Sequence, residues 1–366
     1  MTTAVVSTKV PTQPDRPQHD QQAEEDVEQY LHEHVRTLHR PVRHEHLFDD
    51  AQAIVLEIFP SWSADEITLT QCKDGITNKL VRCKHQPSGE SVLIRAYGRK
   101  SEVIIDRKQE ITNLVCLAQL GLCPPLYGRF DNGLVYGFIP GQVLTPEQLS
   151  DPHLSRRTAE KLARWHRVRV PGAFESRLFP TLWRWMNEVP ETYQVEKTQA
   201  LYAAKVDLPA LKEELKQLQA CLEKLNSPVV FGHCDLLSAN LIYDENKDEV
   251  SFIDYEYGGY SHRGFDIGNH FAEYAGFECN YDRYPDKAHQ YEWLRHYLVA
   301  GNEPVTDEAL DAFYREVNQF ALASHFYWGL WALVQAELSN IDFDYMSYAV
   351  MRFNEYYRRR DEFLAI

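Results

Sequence analysis

The chain has 366 residues, and 54 acidic against 38 basic side chains give it a formal net charge of −16. This balance argues against a nucleic-acid partner, because neutralising a phosphate backbone needs a basic face. It is compatible with a cationic small molecule in an acidic cleft, and the length suggests about two domains, or two lobes of one enzyme.

Residues 1–45 are predicted to form a disordered or partly helical tail. The first part is rich in Thr, Pro, Gln and Asp and nearly free of large apolar residues. Several histidines lie between His19 and His46. They show no recurring ligand spacing, so a solvated polar segment is favoured over a metal site.

Residues 46–140 are predicted to form a strand-rich N-lobe. Short apolar runs on either side of Asp74-Gly75 favour a β-hairpin, and residues 91–97 (SVLIRAY) predict a further strand. Asp106 is a candidate N-cap for a helix that ends near residue 120. Residues 134–139 predict another strand.

Residues 141–366 are predicted to form a mainly helical C-lobe. Apolar spacing favours helices over 155–168, over a leucine stripe at 208–225, and over 307–340. We therefore expect an α+β protein of two lobes, with a cleft between them.

The sequence indicates no membrane insertion and a reducing compartment. No apolar run reaches roughly 18 residues, the length of a membrane span, and the start lacks the apolar segment of a secretory signal. The seven cysteines are scattered and form no CxxC pair. We expect a cytoplasmic protein.

Four polar residues in the C-lobe carry the chemistry. His233-x-Asp235 is followed by Asn240, and apolar runs at 241–243 and 250–253 flank a polar turn centred near residue 247. That centre predicts a β-hairpin with Asn240 opposite Asp254. Both would then lie beside Asp235.

This set of side chains suits phosphoryl transfer. One carboxylate, Asp235, would accept the proton of the attacking hydroxyl, while Asn240 and Asp254 would hold Mg²⁺ between nucleotide phosphates. The spacing matches the kinase pattern H-x-D-x-x-x-x-N with a later metal-binding Asp. If so, ATP and Mg²⁺ are the cofactors.

Two N-lobe features could bind the nucleotide. Val-Leu-Ile-Arg95 has the form of the kinase strand that ends in a phosphate-binding Lys, and Glu110 in the next helix could orient Arg95. The turn DGITNK, with Asp74, Thr77 and Asn78, could offer amides and polar side chains to phosphate. A surface ion pair and an ordinary hairpin turn are the simpler alternatives. No P-loop motif occurs.

The motifs DGITNKL (74–80), HCDLLSAN (233–240), IDYEY (253–257), FDIGNHF (265–271), ASHFYWGLW (323–331) and YMSY (345–348) resemble those of the choline/ethanolamine kinase family. The resemblance runs from about residue 65 to 360, with the motifs in the same order. It implies a protein-kinase-like fold of two lobes and transfer of the ATP γ-phosphate to a small amino alcohol.

The resemblance also implies residue roles. Asp235 would be the base, and Asn240 and Asp254 the metal ligands. The remaining implied contacts lie around the acceptor: Glu256, Tyr257, Glu273, Trp328, Trp331 and Tyr348, with Arg263 and Asp266 framing the loop. Aromatic faces near a cation stabilise it by roughly 0.5–2 kcal/mol each, although helical periodicity alone would place these aromatic residues in the core.

The sequence motifs favour one amino alcohol over another as the substrate. DGITNK and the Leu236-Leu237 pair resemble ethanolamine kinases more than choline kinases, and Tyr274 stands where choline kinases carry Trp. We expect an ethanolamine kinase that supplies phosphoethanolamine for phosphatidylethanolamine synthesis. The alternatives are a choline kinase that also uses ethanolamine, a phosphotransferase of the aminoglycoside-kinase type, and a nucleotide-binding scaffold. A homodimer is suggested only by family relatives.

Overall fold

The computed structural model describes residues 16–72, 78–98, 105–339 and 341–366, with side chains omitted at 16–21 and 44. Asp74 and Thr77 lie outside the described residues. In the described part of the chain, no helix is both long enough and apolar enough to traverse a lipid bilayer.

The N-lobe is built on a six-stranded sheet in the order β1-β5-β6-β4-β3-β2. All neighbouring strands are antiparallel except β1 and β5. The strands are β1 (Arg36–Leu38), β2 (Ile67–Gln71), β3 (Asn78–His85), β4 (Ser91–Tyr97), β5 (Leu126–Phe130) and β6 (Gly133–Gly137). The predicted strand at 91–97 and the antiparallel pairing around Asp74-Gly75 are both present.

Three helices accompany this sheet: α1 (Arg16–His34), α2 (Leu47–Ile58) and α3 (Arg107–Gln119). The carboxylate of Asp106 accepts from the backbone N–H of Gln109, as the N-cap prediction requires. Apolar residues of α2, including Ile54 and Val55, are fully buried with strand residues in one core.

The segment predicted as a tail contributes to the lobe. Residues 16–34 are helical, and β1 pairs in parallel with β5, with Arg36 opposite Gly128. Val27 and Val35 are buried in the same core as residues of α3. The ordered N-lobe therefore begins before residue 46, because long-range packing, which local composition does not report, holds this segment.

The C-lobe is mainly helical, and α10 lies at its centre, packed against α8 and α11. Its helices are α4 (Pro152–Trp165), α5 (Leu178–Glu188), α6 (Glu196–Lys205), α7 (Leu208–Leu222), α8 (Arg263–Ala272), α9 (Lys287–Gly301), α10 (Asp307–Leu338) and α11 (Tyr345–Leu364). A Cβ at Gly268 would lie 2.6 Å from the carbonyl oxygen of Val317, so glycine permits the close approach of α8 to α10.

Short strands on this helical body flank the segment that contains Asp235, Asn240 and Asp254. They are β7 (Gln142–Val143), β8 (Val229–Gly232), β9 (Leu241–Asp244), β10 (Glu249–Phe252) and β11 (Gly259–His262). β7, β9 and β10 form one sheet, and β8 pairs with β11. The observed architecture is the predicted α+β arrangement of a strand-rich lobe and a helical lobe.

The hairpin register differs from the prediction by one residue. Glu249 lies opposite Asp244, and the backbone N–H of Ile253 donates to the carbonyl oxygen of Asn240 at 3.0 Å. Asn240 is therefore opposite Ile253, and Asp254 lies one residue further on. The difference arises in the turn between the two strands. Asp248 in this turn adopts a left-handed conformation with a φ of 50°, which shifts the centre of the hairpin.

Candidate active site

The loop after β8 carries the predicted base. Cys234 has a φ of 63°, a strained backbone conformation for a residue with a side chain. Asp235 follows it and is buried. The side-chain amide of Asn240 donates to the Asp235 carbonyl oxygen at 2.7 Å and to its carboxylate at 3.0 Å. The His233 ring donates to the carbonyl oxygen of Ile253 at 2.9 Å, which links the loop to the end of β10.

Asp266 in α8 fixes this loop from behind. Its two carboxylate oxygens accept the backbone N–H groups of His233 at 2.8 Å and Cys234 at 2.7 Å. His166 contacts the same carboxylate at 2.8 Å and Tyr297 at 2.7 Å. Burial alone would raise the pKa of Asp266, but its hydrogen bond to His166 and the nearby histidine rings lower it. Asp266 therefore positions the loop. Arg263, which was also expected beside the loop, instead forms an ion pair with Glu316 at 2.7 Å.

A buried group of charges joins the N-lobe to the end of β10. Arg95 in β4 lies 3.4 Å from Glu110, 2.8 Å from Asp254, and in direct contact with Glu256. Arg107 bridges Glu110 at 2.8 Å and Glu256 at 3.2 Å. Arg95 and Glu110 therefore lie within ion-pair distance of each other.

Glu256 contacts side chains of the N-lobe. The side chain of Asn78 donates to it at 3.1 Å, in addition to its two arginine contacts. From the sequence, Glu256 was expected among the residues that contact the acceptor. Asp254 adopts a left-handed conformation with φ of 65°, so strand alternation does not continue beyond it and Glu256 faces the N-lobe.

Negative charge is concentrated around the base. Burial, with Asp254, Glu273 and Glu256 nearby, raises the pKa of Asp235 well above its ordinary value. Burial also raises the pKa of Asp254 to about 6, although Arg95 acts in the opposite direction. A site with this excess of carboxylate and amide oxygens fits a hard divalent cation such as Mg²⁺, whose ligands would be Asn240 and Asp254. The described residues contain no group of three or more His, Cys, Asp or Glu side chains arranged to hold a metal.

The aromatic residues expected at the acceptor contact one another. The indole N–H of Trp331 donates to the Tyr257 hydroxyl at 2.9 Å, and Tyr257 meets Trp328 edge to face at 5.3 Å between ring centres. The ring centres of Trp328 and Trp331, both on α10, are 5.5 Å apart. These three residues form one aromatic cluster.

Glu273 and Tyr348 form a second group with a residue that sequence reasoning missed. Arg352 donates to Glu273 at 2.6 Å and to the Tyr348 hydroxyl at 3.1 Å. Its position four residues after Tyr348, on one face of α11, was the local signal. Arg107 and Asn269 were also missed, although Asn269 lies within the FDIGNHF motif.

A strand-rich lobe, a helical lobe and a catalytic loop between them define a phosphotransferase of the protein-kinase-like class. The sequence profile described as choline/ethanolamine kinase matches residues 69–357. Ethanolamine kinase 1 of Mus musculus is 40% identical over 329 residues, which cover 87% of this chain and 91% of that protein. The chain belongs to the choline/ethanolamine kinase family.

Two other comparisons agree with that assignment. Probable ethanolamine kinase A of Dictyostelium discoideum is 43% identical over 307 residues, covering 82% of this chain and 87% of that protein. The solved structure of a Plasmodium vivax ethanolamine kinase superposes with a TM-score of 0.78 at 28% identity and covers 95% of each chain. The similarity thus extends through both lobes.

Proposed function

We propose that the protein transfers the γ-phosphate of ATP to the hydroxyl of ethanolamine and forms phosphoethanolamine. The observation that carries this proposal is the position of Asp235. It lies close to Asp254 and Glu256, which contact the cations of the N-lobe, and also to Glu273 on the acceptor side. A base between these two sides can accept the proton of a hydroxyl that faces a phosphate.

The nucleotide side has two tasks. Arg95, held by Glu110, would contact the ATP phosphates, with Arg107 behind it. Asn240 and Asp254 would hold Mg²⁺, which supplies charge neutralisation for the phosphates. Asp235, whose pKa is raised in the ligand-free protein by burial and then by the neighbouring carboxylates, would accept the hydroxyl proton. Asp74, Thr77 and Asn78 stay candidates for phosphate contacts.

The acceptor side would recognise the ammonium group. Glu273 offers a carboxylate, and Tyr257, Trp328, Trp331 and Tyr348 offer aromatic rings. A primary ammonium donates hydrogen bonds to a carboxylate, whereas a quaternary one cannot. The aromatic cluster also suits choline, so choline kinase activity is the second candidate function.

We further propose that the product enters phosphatidylethanolamine synthesis in the cytoplasm. The seven free cysteines support a reducing compartment. A homodimer is part of the same proposal and is testable by light scattering.

The deciding experiment is ADP release from purified protein with ATP, Mg²⁺ and ethanolamine or choline in turn. We expect a higher kcat/KM with ethanolamine. A clear preference for choline would select the second candidate, and no ADP above blank with any amino alcohol would indicate a scaffold. Omission of Mg²⁺ in a parallel reaction tests the metal requirement.

A further inference from the structure

One buried cation connects the residues proposed to bind the acceptor. Arg352 is 1% exposed and Glu273 4% exposed. Arg352 donates through Nη1 to Glu273 Oε1 at 2.6 Å and to the Tyr348 hydroxyl at 3.1 Å. Its Nη2 donates to the Ser324 hydroxyl at 2.8 Å. A buried arginine with three such contacts holds its neighbours in one geometry.

The connection continues from Ser324 to the aromatic cluster. The Ser324 hydroxyl donates to Asn269 Oδ1 at 2.7 Å, and the indole N–H of Trp328 donates to the same oxygen at 2.7 Å. Gly268, beside Asn269, allows the two helices to approach closely enough for these bonds. Arg352 is therefore linked to a carboxylate and to two rings, Tyr348 and Trp328, of the proposed acceptor pocket.

We propose that Arg352 is a positioning residue that gives the enzyme its preference for a primary over a quaternary ammonium. This inference rests on the proposed function. Within the described part of the chain, Arg352 is the side chain that donates to the Glu273 carboxylate, and it does so at Oε1. In this proposal Oε2 is the oxygen that would accept a hydrogen bond from the substrate ammonium.

The physical reason is charge balance. Arg352 already compensates the charge of Glu273, so an incoming cation gains little from net charge alone. An ammonium that donates a hydrogen bond to a carboxylate held in a fixed orientation gains a directional, charge-assisted contact. A quaternary ammonium has no N–H and gains only from the aromatic rings. Fixing Glu273 therefore favours ethanolamine over choline.

The test compares Arg352→Met, Glu273→Gln and the double variant with both alcohols. We expect each single variant to raise the KM for ethanolamine about 10- to 100-fold, the range of a charge-assisted hydrogen bond. The KM for ATP should stay nearly constant, and the ratio of kcat/KM for ethanolamine to that for choline should fall at least about tenfold. Because Arg352 acts through Glu273, the double variant should lose no more than Glu273→Gln alone.

Two variants separate this role from a structural one. Arg352→Lys keeps a charge near Glu273 but lacks the planar fork that also reaches Ser324, so it should restore part of the ratio. Arg360→Met removes another arginine of α11, which pairs with Glu214 at 2.9 Å, and should leave the ratio unchanged. Effects that multiply in the double variant, or a ratio unaltered by Arg352→Met, would overturn the proposal. If Arg352→Met does not fold, Arg352→Lys and the double variant decide by the same ratio.

Failure of the proposed function can be distinguished from failure of the proposed role of Arg352. If the wild-type protein turns over neither alcohol, the proposed function fails. Melting temperatures of the wild type, the two single variants and the double variant would still test the pair. We expect the double variant to melt above Arg352→Met, because it leaves no buried carboxylate without its cation. Additive losses would show that the two residues are not coupled.

Discussion

Asp266 accepts a 2.7 Å hydrogen bond from the backbone N–H of Cys234, the residue immediately before the proposed base. Cys234 is held there in a left-handed conformation that costs roughly 1–2 kcal/mol for a residue with a side chain. The strain is tolerated because the Asp266 carboxylate also accepts the neighbouring N–H of His233. The direction of Asp235 thus depends on a carboxylate that need not touch a substrate.

Asp266→Asn should lower kcat by about 100-fold, the effect of a small displacement of a catalytic group. The amide nitrogen of Asn cannot accept a backbone N–H, so one of the two bonds to the loop is lost. Steady-state kinetics should show KM values for ATP and ethanolamine changed far less than kcat. Cys234→Gly is the matched variant, since glycine adopts the same φ without strain, and it should stay active. An Asp266→Asn enzyme with normal kcat would contradict the positioning role.

Asp235→Asn should reduce kcat by about 10²- to 10⁴-fold, the usual contribution of a general base. Its melting temperature should equal or exceed that of the wild type, because the pKa of Asp235 is raised by burial and neighbouring carboxylates and a neutral group is therefore favoured there. Turnover assays and thermal unfolding give the two readouts. Asp131→Asn, at an exposed position, serves as the control and should change neither. Full turnover by Asp235→Asn would remove the base assignment.

Glu256→Gln should raise the KM for ATP about tenfold, equivalent to roughly 1.4 kcal/mol of binding. The reason is that Glu256 contacts Arg95 and Arg107, which are proposed to lie on the nucleotide side. Glu110→Gln is the matched variant, because Glu110 contacts the same two arginines. Both variants should leave the KM for ethanolamine within about twofold. A rise in that KM for Glu256→Gln alone would favour the placement inferred from sequence.

Asp50→Asn should destabilise the N-lobe in a pH-dependent way. Asp50 is buried and accepts three bonds from Arg43, between 2.8 and 2.9 Å, and the side-chain hydrogen bond lowers its pKa from 3.8 to about 2. A carboxyl with a lowered folded-state pKa contributes stability above its unfolded pKa, and this contribution is lost as the pH falls through 2. The variant should therefore lose about 2 kcal/mol in its free energy of unfolding at pH 6.

Denaturant unfolding of Asp50→Asn and the wild type at several pH values between 6 and 3 measures this difference. It should shrink as the pH approaches 3. Asp49→Asn changes the neighbouring exposed carboxyl and should show little difference at any pH. A difference that stays constant with pH would mean that the charge of Asp50 is not involved.

Local signals in the sequence were sufficient for much of the fold. The Asp106 cap, the strand at 91–97 and the hairpin after Asn240 each follow from spacing within about 15 residues. The register of that hairpin was missed by one residue, since a left-handed Asp248 is not visible in a pattern of apolar residues. The strand β1 was also missed, because it lies in the segment predicted as a tail. Its pairing with β5 depends on residues far along the chain, which local patterns do not report.

The proposed site shows the same limit. The spacing of Asp235, Asn240 and Asp254 could be recognised in the sequence, because Asn240 and Asp254 flank one hairpin and Asp235 shortly precedes it. The contact of Arg352 with Glu273 could not be predicted, because the two residues come from different helical segments that are brought together only by packing around α10. Sequence patterns therefore identified candidate reacting groups better than the residues that orient them.

The parallel pairing of β1 with β5 also determines the order in which the N-lobe can be completed. The ribosome makes β1 first, but its partner appears only after β2, β3 and β4 have been synthesised. Those strands can pair with their neighbours as they emerge, whereas β1 must wait, since distant contacts form late. Removal of β1 would leave β5 as an open edge, and we expect such a truncated chain to associate with other copies through that strand, giving larger species in light scattering.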